Sequence, residues 1–399
     1  MKSIRELYKI GYGPSSSHTM GPQKACSLFK ESHPDATHFK VILYGSLALT
    51  GKGHLTDQII KKTLENVEVI FDYTFPFDHP NTLEIYGFSS DEKSYFWRVY
   101  SIGGGSISIE GVEQEDEIEI YPHQTFDEIK NYCLSENIRL FEYVERYEGK
   151  DIWNFLSIVY NTMNEAIDRG LSSEGVLPGE LRVKRKAKQL LTKVFENEPS
   201  EITESRLVSA YAYAVSEENA SGEIVVTAPT CGASGVVPAV LRYMKEKHHF
   251  KKDTCLKALA TAGLIGNIIK HNASISGAIA GCQAEIGSAC AMGAALHAEL
   301  FKLSLNQIEY AAEISLEHHL GLTCDPVLGY VQIPCIERNA VAALRSIDAC
   351  GLSYFLSESR KISLDMVIET MYQTGKDIHT KYRETGIGGL AQLYTKIKG

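Results

Sequence analysis

The first third of the chain alternates short apolar runs with turn residues. Residues 39–49 and 67–73 are apolar and rich in β-formers, and 82–88, 95–102 and 117–120 continue the strand-like pattern. Turn signals separate them at 78–81, 89–91 and 103–105. Residues 56–65 have the spacing of a helix lying between two strands. The acidic, polar stretch 114–125 reads as the approach to a boundary. Beyond it the period changes. Residues 126–148, 152–169, 181–195, 201–216, 236–246, 255–269 and 285–303 have the spacing and the Ala/Leu/Ile content of packed helices. Gly and Ser recur inside several of them, which weakens a helix but lets backbones approach closely. The pattern predicts an α+β protein: a mixed α/β domain over 1–150, then a helical domain over 151–399.

Composition narrows the function classes. A formal net charge of -10 argues against a nucleic-acid surface and provides no polybasic patch for a membrane. No apolar run is long enough to span a bilayer, and residues 1–10 lack the apolar core of a secretory signal, so a cytoplasmic protein is expected. Nine cysteines, an odd number in a large chain, do not read as a secreted disulfide framework. Six of them fall between 231 and 335, in the part richest in Gly, Ala and His, so they invite a reading as ligands.

Three stretches could carry chemistry. Gly13-Pro14-Ser15-Ser16-Ser17-His18-Thr19-Met20-Gly21-Pro22 places four hydroxyls and an imidazole between two Gly-Pro breaks. If 23–30 is a helix, its N-terminus faces this loop and favours an anion such as a carboxylate. His18 would titrate near neutrality and suit a base, although taken alone such a loop is more often a helix cap. Cys282 opens a Gly-rich helix start, where the dipole lowers a thiol pKa. Cys324 and Cys335 sit in polar, Pro-broken sequence, unlike cysteines buried for packing. Cys290 lies eight residues past Cys282, about 12 Å along a helix, too far for one compact centre. It reads as core, as do Cys26, Cys133, Cys255 and Cys350, whereas Cys231 is ambiguous. Structural zinc favours close Cys pairs such as C-x2-C, which are absent. Three widely spaced thiolates suit an iron–sulfur cluster with one iron open as a Lewis acid. Phosphate-binding glycine motifs are missing. Lys184 and Lys186 sit in a basic run that reads as a solvated or cluster-flanking face, so no pyridoxal phosphate is expected.

Together these blocks resemble the iron–sulfur L-serine dehydratases over nearly the whole chain. The loop 13–22 is similar to that family's Ser-Ser-His-Thr signature. Thr50-Gly51-Lys52-Gly53-His54 with Thr56-Asp57, His79-Pro80-Asn81-Thr82, and Gly103, Gly104 and Gly105 resemble its first-domain signatures. Leu177-Pro178-Gly179, residues 227–241, Asn272-Ala273-Ser274-Ile275-Ser276-Gly277 and the cysteine stretches resemble its catalytic domain. Thr374-Gly375 and Gly388-Gly389-Leu390-Ala391 resemble its C-terminal signature. The resemblance implies a first domain like the regulatory substrate-binding domain of phosphoglycerate dehydrogenases, followed by an all-helical catalytic domain. It implies a [4Fe–4S] cluster on Cys282, Cys324 and Cys335, with L-serine converted to pyruvate and ammonia. His18 is then the first candidate base, with His318 and His319 as rivals. Ser15, Ser16, Ser17 and Thr19 would hold the carboxylate, and Asn272, Ser274 and Ser276 could complete substrate binding. Two departures stand out. Some relatives end in a cysteine that folds into the active site, whereas this sequence ends Thr395-Lys396-Ile397-Lys398-Gly399, so the fourth site is expected open or solvated. Cys231 stands where the family leads one to expect Asn. A cluster lyase acting on cysteine or threonine, and a non-catalytic amino-acid or redox sensor, are the alternative readings. A homodimer is expected from general frequency.

Overall fold

A computed structural model describes residues 1–74, 79–112 and 119–398. The strands are β1 (Ile10–Tyr12), β2 (Ala36–Leu43), β3 (Val67–Phe71), β4 (Thr82–Ser89), β5 (Ser94–Gly103), β6 (Ser106–Ile109) and β7 (Ile224–Val226). Five of them form one sheet in the order β3-β2-β4-β5-β6. Among the strands of the described residues, only β2 and β3 pair in parallel; their connection carries the helices Gly45–Thr50 and Thr56–Thr63. The remaining pairs are antiparallel. Alternation decides which face is buried. Phe39, Val41 and Leu43 of β2, Leu83 and Ile85 of β4, and Val99 of β5 form a core with Phe29 and Ile60 of the covering helices. On the other face, Arg98 bonds Glu84 at 2.9 Å.

Most of the rest is helical and encloses a second core. At its centre the helix Ser288–Leu300 is buried at every position. A helix enclosed on all sides needs no polar face, and its Ala, Gly and Ser residues let neighbours approach closely. Against Gly293 lies Ser346 of the helix Cys335–Leu356, whose hydroxyl donates to the Cys290 carbonyl at 3.0 Å. The helices Phe126–Glu136 and Leu140–Glu148 also pack into this core, on the near side of residue 150. The N-terminal residues Ile4, Leu7 and Tyr8 join it too, and β1 pairs with β7. The α+β class expected from the pattern is the observed one.

Several local expectations need correction. The run 39–49 is a strand only to Leu43, after which Gly45–Thr50 is helical. Glu119 and Ile120 are not in a strand, and the rest of the 117–120 prediction lies outside the described residues. The amphipathic run 181–195 is helical only over Ala187–Thr192. There the Glu217 carboxylate accepts the Lys186 backbone N–H at 2.6 Å, and Val176 bridges to Lys184, so the preceding backbone is held extended. The Ser-Ser-His-Thr segment is not a loop facing a helix. Residues Ser16–Met20 are themselves wound as a wide π turn running into the helix Gly21–Ser32. Among the described residues, no helix is long and apolar enough to cross a membrane.

Candidate active site

A cavity opens where the sheet body meets the helical body. The sheet side contributes Ser15, Ser16, Ser17, His54 and the turn residues Gly103 and Gly104. The helical side contributes Thr230, Gly232, Ser276, Glu285, Glu384 and the three cysteines 282, 324 and 335.

Hydroxyl groups lock the sheet side together. Ser15 Oγ accepts the His18 backbone N–H at 3.1 Å and caps the π turn. Thr19 Oγ1 donates to the His54 carbonyl at 2.9 Å, Thr56 Oγ1 to the His18 carbonyl at 2.7 Å, and Ser101 Oγ to the Ser17 carbonyl at 2.7 Å. Thr19 therefore ties the turn to the His54 loop and does not line the cavity. The three serines do line it.

His18 and His54 stack with centroids 4.4 Å apart. Their hydrogen bonding differs. His18 is buried one layer back, with Nδ1 2.9 Å from Ser17 Oγ and Nε2 2.9 Å from Ser46 Oγ, so both ring nitrogens are occupied. His54 Nδ1 lies 2.9 Å from the Thr50 carbonyl, which only accepts, so Nδ1 carries the proton. Its Nε2 is then a bare lone pair with no hydrogen-bond partner. Burial lowers His54 to about 4, and burial with the neighbouring His54 ring lowers His18 well below the usual histidine range.

The cysteines come from three separate elements. Cys282 directly precedes the turn Gln283–Gly287, and Cys335 opens the helix Cys335–Leu356. Cys324 lies in a loop fastened by main-chain bonds: its N–H donates to the Tyr382 carbonyl, and its carbonyl accepts the Glu384 N–H, both at 2.8 Å. Glu285 Oε2 lies 3.8 Å from Cys282 Sγ and 3.9 Å from Cys324 Sγ. A hydrogen bond with Cys282, then burial, pushes the Cys324 thiol up; burial and the Cys282 charge push Cys335 up. Thiols placed this way ionise when a cation compensates them. A methyl at Gly277 would lie 3.2 Å from Cys324 Sγ and 2.6 Å from Glu285 Oε2, so a bare backbone keeps room beside the sulfurs. This donor set fits a thiolate-bound metal centre.

Other residues singled out in the sequence lie elsewhere. His318 and His319 are turned back on their own helix, with Nδ1 to the Ile314 and Ser315 carbonyls at 2.8 and 2.7 Å, and neither lines the cavity. Asn272 Nδ2 caps backbone at Gln124 and Ile268. Ser274 Oγ accepts the Ser276 N–H at 3.1 Å, and of that trio Ser276 alone lines the cavity. Cys231 is buried with Sγ 3.8 Å from Met20 Sδ. Lys186 lies over the Tyr213 ring and outside the cavity. Thr230, Glu285, His54 and Glu384 line the cavity and had no role assigned from sequence. His54 fell inside a signature block and Glu384 between two others, and their meeting, 3.6 Å between Nε2 and Oε1, joins positions 330 residues apart.

Comparison with known proteins bears on the whole arrangement. The profile described as serine dehydratase alpha chain matches residues 88–391, and that of the serine dehydratase beta chain matches 3–69. The chain belongs to the L-serine dehydratase family. It is 41% identical to L-serine dehydratase 1 of Escherichia coli K12, over 98% of this chain and 99% of that protein. It is 38% identical to the L-serine dehydratase of Haemophilus influenzae Rd, over 98% and 99%, and 39% identical to that of Helicobacter pylori 26695, over 98% of each. The Escherichia coli alignment runs to 453 positions, more than this chain contains, so that dehydratase carries internal segments missing here. The two serine dehydratase profiles divide the cavity between them. Ser15, Ser16, Ser17 and His54 fall in the beta match, and the three cysteines, Glu285 and Glu384 in the alpha match.

Proposed function

We propose that the chain is an L-serine ammonia-lyase that forms pyruvate and ammonia, with a [4Fe–4S] cluster held by Cys282, Cys324 and Cys335. One juxtaposition carries the reading: three cysteines from distant elements and His54, whose Nε2 has no hydrogen-bond partner, line one cavity. When bound, a cluster with an open iron supplies Lewis acidity toward the substrate hydroxyl.

The residues of the chain supply the remaining steps. Hydroxyls of Ser15, Ser16 and Ser17 receive the substrate carboxylate at the wall opposite the cysteines. His54 takes the α-proton at Nε2, because its ring lines the cavity and that nitrogen has no hydrogen-bond partner. Its Nδ1–H bond to Thr50 fixes the tautomer, and burial keeps the ring neutral, so Nε2 is unprotonated and able to accept a proton. His18 supports this ring by stacking and is itself anchored by two serine hydroxyls, so it acts as a positioning residue. Soft thiolates and a reducing compartment go together, which favours the cytoplasm.

The test is direct. Protein purified without oxygen should be brown, contain about four irons per chain and deaminate L-serine, and air should remove colour and turnover together. Cys324→Ala should lose both. Full serine turnover by an iron-free Cys324→Ala protein would sink the cluster reading.

A further inference from the structure

The reading above leaves one substrate charge without a partner. An α-amino acid carries an ammonium on the carbon that loses its proton, and burying it without a counter-charge is strongly disfavoured. Two carboxylates line the cavity, Glu285 and Glu384. Glu285 is already engaged. Thr230 Oγ1 donates to it at 2.8 Å, and its other oxygen faces two of the sulfurs.

Glu384 accepts the Ala278 backbone N–H, and burial and the Glu285 charge push its carboxyl up, so a cation arriving beside it would restore its charge. Its Oε1 lies 3.6 Å from His54 Nε2, beyond hydrogen-bond distance. His54 needs no orienting carboxylate, because Thr50 and the His18 ring already fix it. A carboxylate holding a proton on Nε2 would also occupy the lone pair that has to accept the α-proton. The Glu384 backbone adopts a left-handed conformation, with φ 58°, that non-glycine residues take up only at a cost. The bond from its N–H to the Cys324 carbonyl holds it there. The backbone is therefore held where the side chain lies beside His54, at the cavity wall.

Resting on the serine reading, we propose that Glu384 receives the α-ammonium and so selects α-amino acids over α-hydroxy acids of the same shape. The Cα–H and Cα–N bonds diverge from one atom. A base and a counter-ion serving both must stand a few ångströms apart, as His54 and Glu384 do.

The probes are L-alanine and L-lactate, which lack the leaving hydroxyl and differ in the group the proposal concerns. Their binding to anaerobic, iron-replete protein is measured by calorimetry and as competitive inhibition of serine turnover. The unsubstituted protein should prefer L-alanine by at least about tenfold, as expected for a hydrogen bond between charged groups. Glu384→Gln should weaken L-alanine by about 10- to 100-fold and leave L-lactate and the iron content unchanged. If Glu384→Gln retains the preference, or the unsubstituted protein shows none, the proposal fails. Should Glu384→Gln lose its iron, Glu384→Asp replaces it: the withdrawn carboxylate should reduce the alanine preference, and equal loss of both ligands overturns the assignment. Failure of the serine reading looks different, as iron-replete protein that does not turn over L-serine at all.

Discussion

His18 and His54 are the same side chain in two hydrogen-bonding states, and the roles proposed for them rest on that difference. His54→Ala should keep the iron and lower serine turnover by about 10²- to 10⁴-fold, the usual worth of a general base. His18→Ala should cost less in kcat and should loosen the neighbouring ring. Equal turnover loss in the two variants, measured on iron-matched protein, would return the base assignment to His18. Protonation gives a second check. Burial lowers His54 from 6.5 to about 4, so the base stays neutral as pH falls through the ordinary histidine range. The acid limb of kcat/KM should therefore lie below 6.5 if His54 is the base. The stability linkage has the same origin. Between those two values the unfolded chain binds a proton that the folded one does not, so His54 makes stability rise with pH across that window. Sequence could single out His18 by its company of serines. It could not show that His18 has no free nitrogen, because Ser46 arrives from another element. His318 and His319 misled for the converse reason: their i−4 carbonyls satisfy them locally.

At the scale of elements, close approach sets the energetics. The helices Ile152–Ser172 and Ser200–Ala220 meet at Gly170, where an added methyl would lie 2.3 Å from the Ala214 carbonyl oxygen. Gly170→Ala should lower stability by about 1–3 kcal/mol through overpacking, read as a shift in the urea midpoint; an unchanged midpoint would show that the helices separate freely. The strands of the sheet were legible because period-2 alternation matches one buried face, as at Phe39, Val41 and Leu43. The long helices were legible from their spacing. The run 181–195 was not, since the buried Glu217 carboxylate captures backbone N–H groups that a longer helix would need. Tertiary contacts of that kind leave no periodic trace. The π turn at Ser16–Met20 was equally hidden, because polar residues in a wound turn look like loop.

Across the whole molecule, the cavity belongs to neither body alone. A chain opened between the two profile matches, after residue 74, would carry Ser15–17 and His54 on one piece and every candidate sulfur on the other. β2 on the first piece pairs with β4 on the second, so co-expressed pieces should associate through a shared sheet. They should co-purify and turn over L-serine together, while neither does so alone; activity in the second piece by itself would show that the sheet side is dispensable. Cys282, Cys324 and Cys335 could be picked out from their surroundings in the sequence, whereas Glu384 could not, because nothing near it hints at His54. The bridge between Cys324 and Arg383 has one more consequence. Residues near 383 look like a trailing end in the linear chain, yet a protease nick there would cut the cord that moors a sulfur-bearing loop. Digestion time courses would then register damage at the proposed metal centre before any loss of helical signal.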